Sequence, residues 1–154
     1  MRKRITKKQK SEVNKWINSL GVWRYFMTLP FRFTVKRMTA ELAFQKWKNM
    51  VEHKLFPRHS GKQLNMFAVM EESSSKQNHF HVLLEDLDVI EIKNNKLLTA
   101  TDFRKIARAK WRKISSSGFN KNEHFLKLIE EDKENVINYI LKTAKEDNDF
   151  MANL

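Results

Sequence analysis

Hydrophobic and polar side chains alternate over the first half of residues 78–85, a pattern typical of a half-buried β-strand. Because a strand sends residues i and i+2 to the same face, we expect His79 and His81 to point in the same direction. A second strand is predicted at residues 64–71, and the polar residues 72–77 lie between the two. This spacing predicts a β-hairpin.

Two further strands are predicted from segments rich in β-branched and aromatic residues, at 22–35 and 124–130. Pro30 falls inside the first of them, so we expect a bulge there or an edge position. Residues 86–100 are harder to assign, and the pattern there predicts a short extra strand around 89–92. A turn is expected at Asn94-Asn95.

Helices are predicted where hydrophobic residues recur with the helical period. The predicted spans are 11–20, 40–55, 102–115 and 133–146, and the residues expected to cap them are Ser11, Thr39, Thr101 and Asp132, respectively. The first follows a basic arm at residues 1–10 and ends at Gly21. The second offers five hydrophobic side chains for burial: Leu42, Phe44, Trp47, Met50 and Val51.

The order of these elements is β-α-β-β-α-β followed by a helix. This order predicts an α+β, ferredoxin-like or RRM-like fold, in which helices cover one face of an antiparallel sheet. The C-terminal helix is an addition that can dock on the open face. We therefore expect an arm and short helix at 1–21, one domain at 22–146, and a frayed tail at 147–154.

The composition indicates a polyanionic partner. The 154 residues include 30 Lys and Arg against 18 Asp and Glu, a formal charge of +12, together with 4 Trp and 11 Phe. Such an excess favours nucleic acid, although a merely soluble basic surface is the alternative. Cysteine is absent, which excludes disulfides and thiolate metal ligands. No membrane-spanning apolar run or signal peptide is evident, so we expect a cytoplasmic protein.

His79 and His81 form half of a metal site if a carboxylate lies beside them. In the predicted hairpin, Glu71 and Glu72 both end the neighbouring strand but point to opposite faces, so only one can join the histidines. We favour Glu71. Two imidazoles and one carboxylate leave positions open for substrate and suit Mg²⁺ or Mn²⁺. The same set is one ligand short of a structural zinc site, and the candidates for the fourth ligand are His124, His53 and His59.

Tyr139 and Lys142 lie three residues apart in the last predicted helix and therefore share one of its faces. They flank the apolar stripe, so a docked helix can direct the phenol toward whatever the metal holds. The alternative is a boundary tyrosine beside a lysine whose stem packs on the surface.

Together these motifs resemble the HUH endonucleases, specifically the replication initiators of small single-stranded DNA phages, viruses and rolling-circle plasmids. Three motifs occur in the family's order: Tyr25-Phe26-Met27-Thr28-Leu29-Pro30-Phe31, His79-Phe80-His81 and Tyr139-Ile140-Leu141-Lys142. Glu71, eight residues before the first histidine, matches the family's third metal ligand. The resemblance covers residues 22–146. It departs from the family in the first motif, where only Thr28 stands for the usual threonine pair. We expect no helicase domain, so that unwinding comes from elsewhere.

The resemblance implies a single-stranded DNA endonuclease that nicks an origin to initiate rolling-circle replication. Glu71, His79 and His81 would hold Mg²⁺ or Mn²⁺, Tyr139 would form a 5′-phosphotyrosine, and Lys142 would balance charge. A host helicase and polymerase are the further partners expected. Candidates to guide the DNA backbone are Arg24, Arg32, Lys36, Arg104, Lys105, Arg108, Lys110 and Arg112.

Two alternatives remain open. One is a single-tyrosine transposase of the same superfamily, against which the Tyr-x-x-Lys spacing argues. The other is a non-catalytic RRM-like module that binds nucleic acid, which the element order and the charge suit equally well. The chain lacks the aromatic strand motif of RRM domains.

Overall fold

The computed structural model describes residues 6–31, 35–71, 79–115, 126–129, 137 and 150–152. Its helices are α1 (Lys7–Leu20), α2 (Arg37–Leu55) and α3 (Ala100–Ser115). Its strands are β1 (Trp23–Pro30), β2 (Met66–Glu71), β3 (His79–Glu85), β4 (Glu91–Ile92), β5 (Lys96–Leu97), β6 (Leu126–Leu128) and β7 (Phe150–Ala152). Short 3₁₀ turns, Leu87–Val89 and Lys93–Asn95, flank β4. None of the described helices is long and apolar enough to cross a membrane.

The main sheet of the described residues has five strands in the order β6-β1-β3-β2-β7, and every neighbouring pair is antiparallel. The predicted hairpin of β2 and β3 is therefore confirmed. The mixed α+β architecture is compatible with a ferredoxin-like fold. β7 is an unexpected addition, because we expected the tail to fray. It pairs with β2 instead, and Phe150 lies opposite Val69.

One face of the sheet is covered by α2 and α3. Their buried residues join the strands in a large core that includes eight aromatic side chains: Tyr25, Phe31, Phe44, Trp47, Phe56, Phe80, Phe103 and Trp111. Both indole nitrogens in this core are satisfied. Trp47 Nε1 donates to the carbonyl of Ala107 at 3.0 Å, and Trp111 Nε1 donates to that of Pro30 at 2.6 Å. The apolar burial drives folding, while these bonds avoid the cost of a buried unpaired donor.

α1 packs on the opposite face of the sheet. Ile17 is fully buried there with Phe67, Val69 and Leu83, and the carbonyl of Ile17 accepts a hydrogen bond from Trp23 Nε1 at 2.9 Å. Ile137 belongs to the same buried cluster. This face therefore holds both the N-terminal helix and one residue of the predicted last helix, whose other residues lie outside the described part.

Three helix starts differ from the prediction. α3 begins at Ala100, so Thr101 lies inside the helix, and the hydroxyl of Thr99 accepts a hydrogen bond from the backbone of Asp102 at 3.1 Å. Thr6, not Ser11, caps α1: its hydroxyl accepts from the backbone of Gln9, whose side chain accepts from the Thr6 backbone in return. Residues 7–10 are therefore helical and do not form an arm. α2 begins at Arg37 and places Thr39 inside the helix. Leu42, expected in the core, is 66% exposed.

The structure has strands at the predicted positions, but their lengths differ from the prediction. β1 is shorter than predicted and ends at Pro30. Its irregularity lies between Trp23 and Tyr25, where Arg24 is the extra residue, and not at Pro30. The short strand and turn expected in 86–100 are confirmed. β4 and β5 pair, and Asn94 and Asn95 adopt positive φ between them.

Candidate metal centre

The register of the hairpin brings the predicted metal ligands together. Glu71, the last residue of β2, lies directly opposite His79, the first residue of β3, and Val69 lies opposite His81. Residues directly opposite in an antiparallel pair project to the same face. All three ligand candidates therefore lie on the face that carries α1, at one end of the sheet. Glu72, the alternative carboxylate, lies outside the described residues.

The donor atoms of these residues converge. Nε2 of His79 and Nε2 of His81 are 3.0 Å apart, Oε2 of Glu71 is 3.2 Å from His81 Nε2, and the same oxygen contacts His79 Nε2. Each residue offers one such atom, and these atoms lie within 4.8 Å of one another. The group can thus hold a metal ion.

The electrostatics keep His81 in the form that binds metals. His81 is 4% exposed, and burial lowers the pKa of its imidazole. The neighbouring His79 lowers it further, while Glu71 opposes the shift through its charge and hydrogen bond. A neutral imidazole presents a lone pair to a cation, so burial favours ligation. Glu71 and His79 are half-buried, with side chains 30% and 25% exposed. The group is therefore open to solvent on that side.

Neighbouring aromatic rings hold the His81 ring in place. Phe26, on β1, stacks on it with centroids 5.4 Å apart and an interplanar angle of 20°. The His79 ring meets His81 edge-on at 4.5 Å. Beneath the site, the bond from Trp111 fixes the carbonyl of Pro30, the β1 residue opposite His79. The rings that pack on His81 and the hydrogen bond that fixes Pro30 opposite His79 thus orient the two histidine ligands.

The tyrosine and lysine of the third motif, Tyr139 and Lys142, lie outside the described residues, as do His124 and Arg32. The nearest described residue is Ile137, which has helical backbone and is fully buried in the cluster on the metal face.

The only other tyrosine of the sequence lies on the opposite face. Tyr25 is 6% exposed in the core beneath α2 and α3. Its hydroxyl donates to Asp88 at 3.4 Å, and burial together with the Asp88 charge raises its pKa. Tyr25 is thus a core residue.

His53 and His59 do not complete a tetrahedral site with the described ligands. Both lie near the start of β2, beside an open depression of about 200 Å³, whereas Glu71 is at the far end of that strand. Six residues of strand separate the two regions by about 17 Å. His53 and His59 are therefore too distant from Glu71 to supply a fourth ligand to this group. Among the described residues, the metal-binding group consists of Glu71, His79 and His81 alone.

The basic residues predicted to guide nucleic acid lie partly on the sheet and partly on the helices that cover it. Arg24, Lys36, Lys105 and Arg112 are exposed, and Arg108 and Lys110 are half-buried. Arg104 has a structural contact: its guanidinium donates to the carbonyl of Leu126 at 3.1 Å and so holds the edge strand β6. The five candidates on α3 belong to the helix layer opposite the metal face.

Sequence reasoning missed Lys127, a basic residue of β6 on the metal face. It is exposed and lies opposite Phe26 in the pairing with β1. The available signal was the alternation of residues 124–130, in which Lys127 stands between Leu126 and Leu128. Its face becomes clear only from the pairing of β6 with β1.

Comparison of the chain with protein-family models, with curated proteins and with solved structures finds no match.

Proposed function

We propose that the protein is a metal-dependent single-stranded DNA endonuclease and strand transferase of the HUH type, which nicks an origin to initiate rolling-circle replication. One observation carries the proposal. The converging donors of Glu71, His79 and His81 lie on the face of the sheet that buries Ile137, two residues before Tyr139.

The ligand set favours Mg²⁺ or Mn²⁺. Two imidazoles and one carboxylate would supply three donors to such an ion and leave its other positions for water or phosphate oxygens. A bound ion of this kind offsets the negative charge that develops on the phosphate during displacement. Glu71 and the two histidines would hold the ion in place. The half-buried position of Glu71 and His79 leaves room for a strand of DNA to approach.

Tyr139 supplies the nucleophile in this proposal. Its phenolic oxygen forms a bond to phosphorus as the bond from phosphorus to the 3′-oxygen breaks, and the products are a 5′-phosphotyrosine and a free 3′-hydroxyl. The phenol loses its proton to solvent, and the departing 3′-oxygen takes up a proton. Lys142, three residues further on, balances charge on the phosphate. Because the phosphodiester energy is retained in the covalent link, a 3′-hydroxyl can later reverse the step and rejoin the strand.

The experiment uses single-stranded DNA of randomised sequence, end-labelled and incubated with the full chain and Mn²⁺. Products are separated on a denaturing gel, where a covalent adduct survives SDS. We expect an adduct with the wild type that EDTA abolishes. Tyr139→Phe should abolish it too, because the substitution removes only the nucleophilic oxygen.

Tyr25→Phe is the matched control. It removes the other hydroxyl of the two tyrosines, on the opposite face of the sheet, and should leave adduct formation unchanged. Adduct formation by Tyr139→Phe would contradict the assignment. DNA binding that survives EDTA, with no adduct from any variant, would instead favour a non-catalytic binding module. A preference for hairpin ends over unpaired origin-like sequences would favour a transposase.

A further inference from the structure

Lys127 lies on the same face as the metal group, two strands away. It is opposite Phe26 in the pairing of β6 with β1, and the Phe26 ring stacks on the ring of His81. Directly opposite residues share a face, so a line of side chains runs from His81 across Phe26 to Lys127 at the edge of the sheet. Lys127 is exposed, and so its ammonium group is accessible from solvent.

The charge of Lys127 is distinctive on this surface. The remaining residues that the described parts of β1, β2 and β3 direct to the metal face are apolar, apart from the metal group, Thr28 and Glu85. Among the residues that the register of the described strands β1, β2, β3 and β6 assigns to this face, Lys127 is thus the one basic side chain, whereas Arg24, the extra residue of β1, has no partner in the register. Within the described part of the chain it forms no ion pair, whereas Lys48, a buried lysine of α2, is paired with Glu52 at 2.8 Å.

The distance from Lys127 to the metal group suits a neighbouring phosphate. His81 is opposite Thr28 and Lys127 is opposite Phe26, so the two are offset by two strands and two residues. Strand spacing and rise then place their Cα atoms about 12 Å apart. A lysine extends about 6 Å along its four-carbon stem, which bridges roughly half of that gap. The remaining distance is comparable with the spacing of adjacent phosphates on a strand.

We infer that Lys127 binds the backbone phosphate next to the one held at the metal group, and so fixes where the DNA strand crosses the sheet edge at β6. This inference rests on the proposed function and extends it by naming a substrate contact. An ammonium group attracts a phosphate as a point charge and requires no fixed orientation. The contact therefore adds affinity without sequence preference.

The test is a binding measurement on the full chain in EDTA, where cleavage is blocked. The probe is fluorescein-labelled oligothymidine of about 20 nucleotides, long enough for one binding site. Its fluorescence anisotropy is recorded over a series of salt concentrations for the wild type, Lys127→Gln, Lys127→Arg and Lys46→Gln. Lys46 is an exposed residue of α2, in the layer on the opposite face, so its substitution removes an equal charge from elsewhere.

We expect Lys127→Gln to weaken binding several-fold at low salt and to reduce the slope of log affinity against log salt by about 0.7, the value for one phosphate of a single strand. Lys127→Arg should restore both, and Lys46→Gln should change neither. An unaltered slope in Lys127→Gln, an equal loss in Lys46→Gln, or no binding by the wild type would overturn the inference. If the slope changes as expected while the adduct experiment fails, the phosphate contact stands and the nuclease proposal falls.

Discussion

Truncation of His81 should remove the stabilisation that a divalent ion gives to the fold. An ion that binds only the folded chain raises the free energy of unfolding by RT ln(1 + [L]/Kd), or about 2.7 kcal/mol at a free concentration of about 100 Kd. For a domain of 154 residues, each kcal/mol corresponds to about 2–4 °C in Tm. Saturating Mn²⁺ should therefore raise the Tm of the wild type by roughly 5–11 °C.

His81→Ala deletes one of three ligands. Loss of a residue that merely orients a ligand costs about 10–100-fold in metal affinity, so loss of a ligand itself should cost at least about 100-fold. At the same Mn²⁺ concentration the stabilisation then falls to about 0.4 kcal/mol, or roughly 1–2 °C. The truncation also lowers the Tm of the metal-free protein, because His81 is 4% exposed and leaves a cavity. The informative quantity is therefore the increment that Mn²⁺ adds to each variant.

The assay is thermal unfolding followed by circular dichroism, with Mn²⁺ or with EDTA. His53→Ala provides the control, since it removes an exposed histidine of α2, which lies away from the metal group, and should keep the full increment. If His81→Ala gains as much from Mn²⁺ as the wild type does, His81 is not a ligand and the reasoning from donor geometry is refuted.

Two further predictions concern the same ring. Burial lowers the pKa of His81, so below about pH 6.5 the unfolded chain binds a proton that the folded chain resists. The free energy of unfolding of the metal-free protein should consequently fall as the pH falls from 7 through the lowered pKa, and His81→Ala should flatten this dependence in urea titrations at several pH values; an unchanged slope would contradict it. Phe26→Leu keeps apolar volume but loses the flat ring that stacks on His81, and should weaken Mn²⁺ binding by up to about tenfold. Phe26→Tyr should restore it, and equal affinities for wild type and Phe26→Leu in a Mn²⁺ titration would remove Phe26 from this role.

The metal group could be predicted from the sequence because it depends only on the geometry of two neighbouring strands. A period of two places His79 and His81 on one face, and a hairpin of known spacing puts Glu71 beside them. The structure confirms this proximity. Which of Glu71 and Glu72 lies on the histidine face depended on the register, which pattern alone left undecided.

Helix starts were less predictable because several residues compete to cap the same helix. Thr6 and Ser11 are both suitable capping residues for α1. Thr6 is the cap because it forms reciprocal hydrogen bonds with Gln9. At α2 the packing of Ala40 into the core extends the helix back to Arg37, past the better capping residue Thr39. Tertiary burial here outweighs a local preference.

β7 and the location of Lys127 depend on long-range pairing. Three residues, Phe150–Ala152, carry too short a pattern to predict a strand, and their pairing with β2 is set by the fold as a whole. The sequence alone does not distinguish Lys127 from other surface charges, and only the pairing of β6 with β1 shows which face it lies on. Arg104 shows the reverse case: the sequence offered it for DNA binding, and the structure gives it a bond to the backbone of β6.

The measurement that tests the metal centre most directly is pulsed electron paramagnetic resonance of the Mn²⁺-loaded protein, prepared with ¹⁵N-labelled histidine. The electron spin echo is modulated by the nitrogen nuclei bound to the ion. Two coordinated imidazoles are expected in the wild type, one in His79→Ala and one in His81→Ala, because each histidine directs its Nε2 at the same point. Absence of histidine nitrogen coupling in the wild type, or two coordinated imidazoles in either variant, would contradict the account.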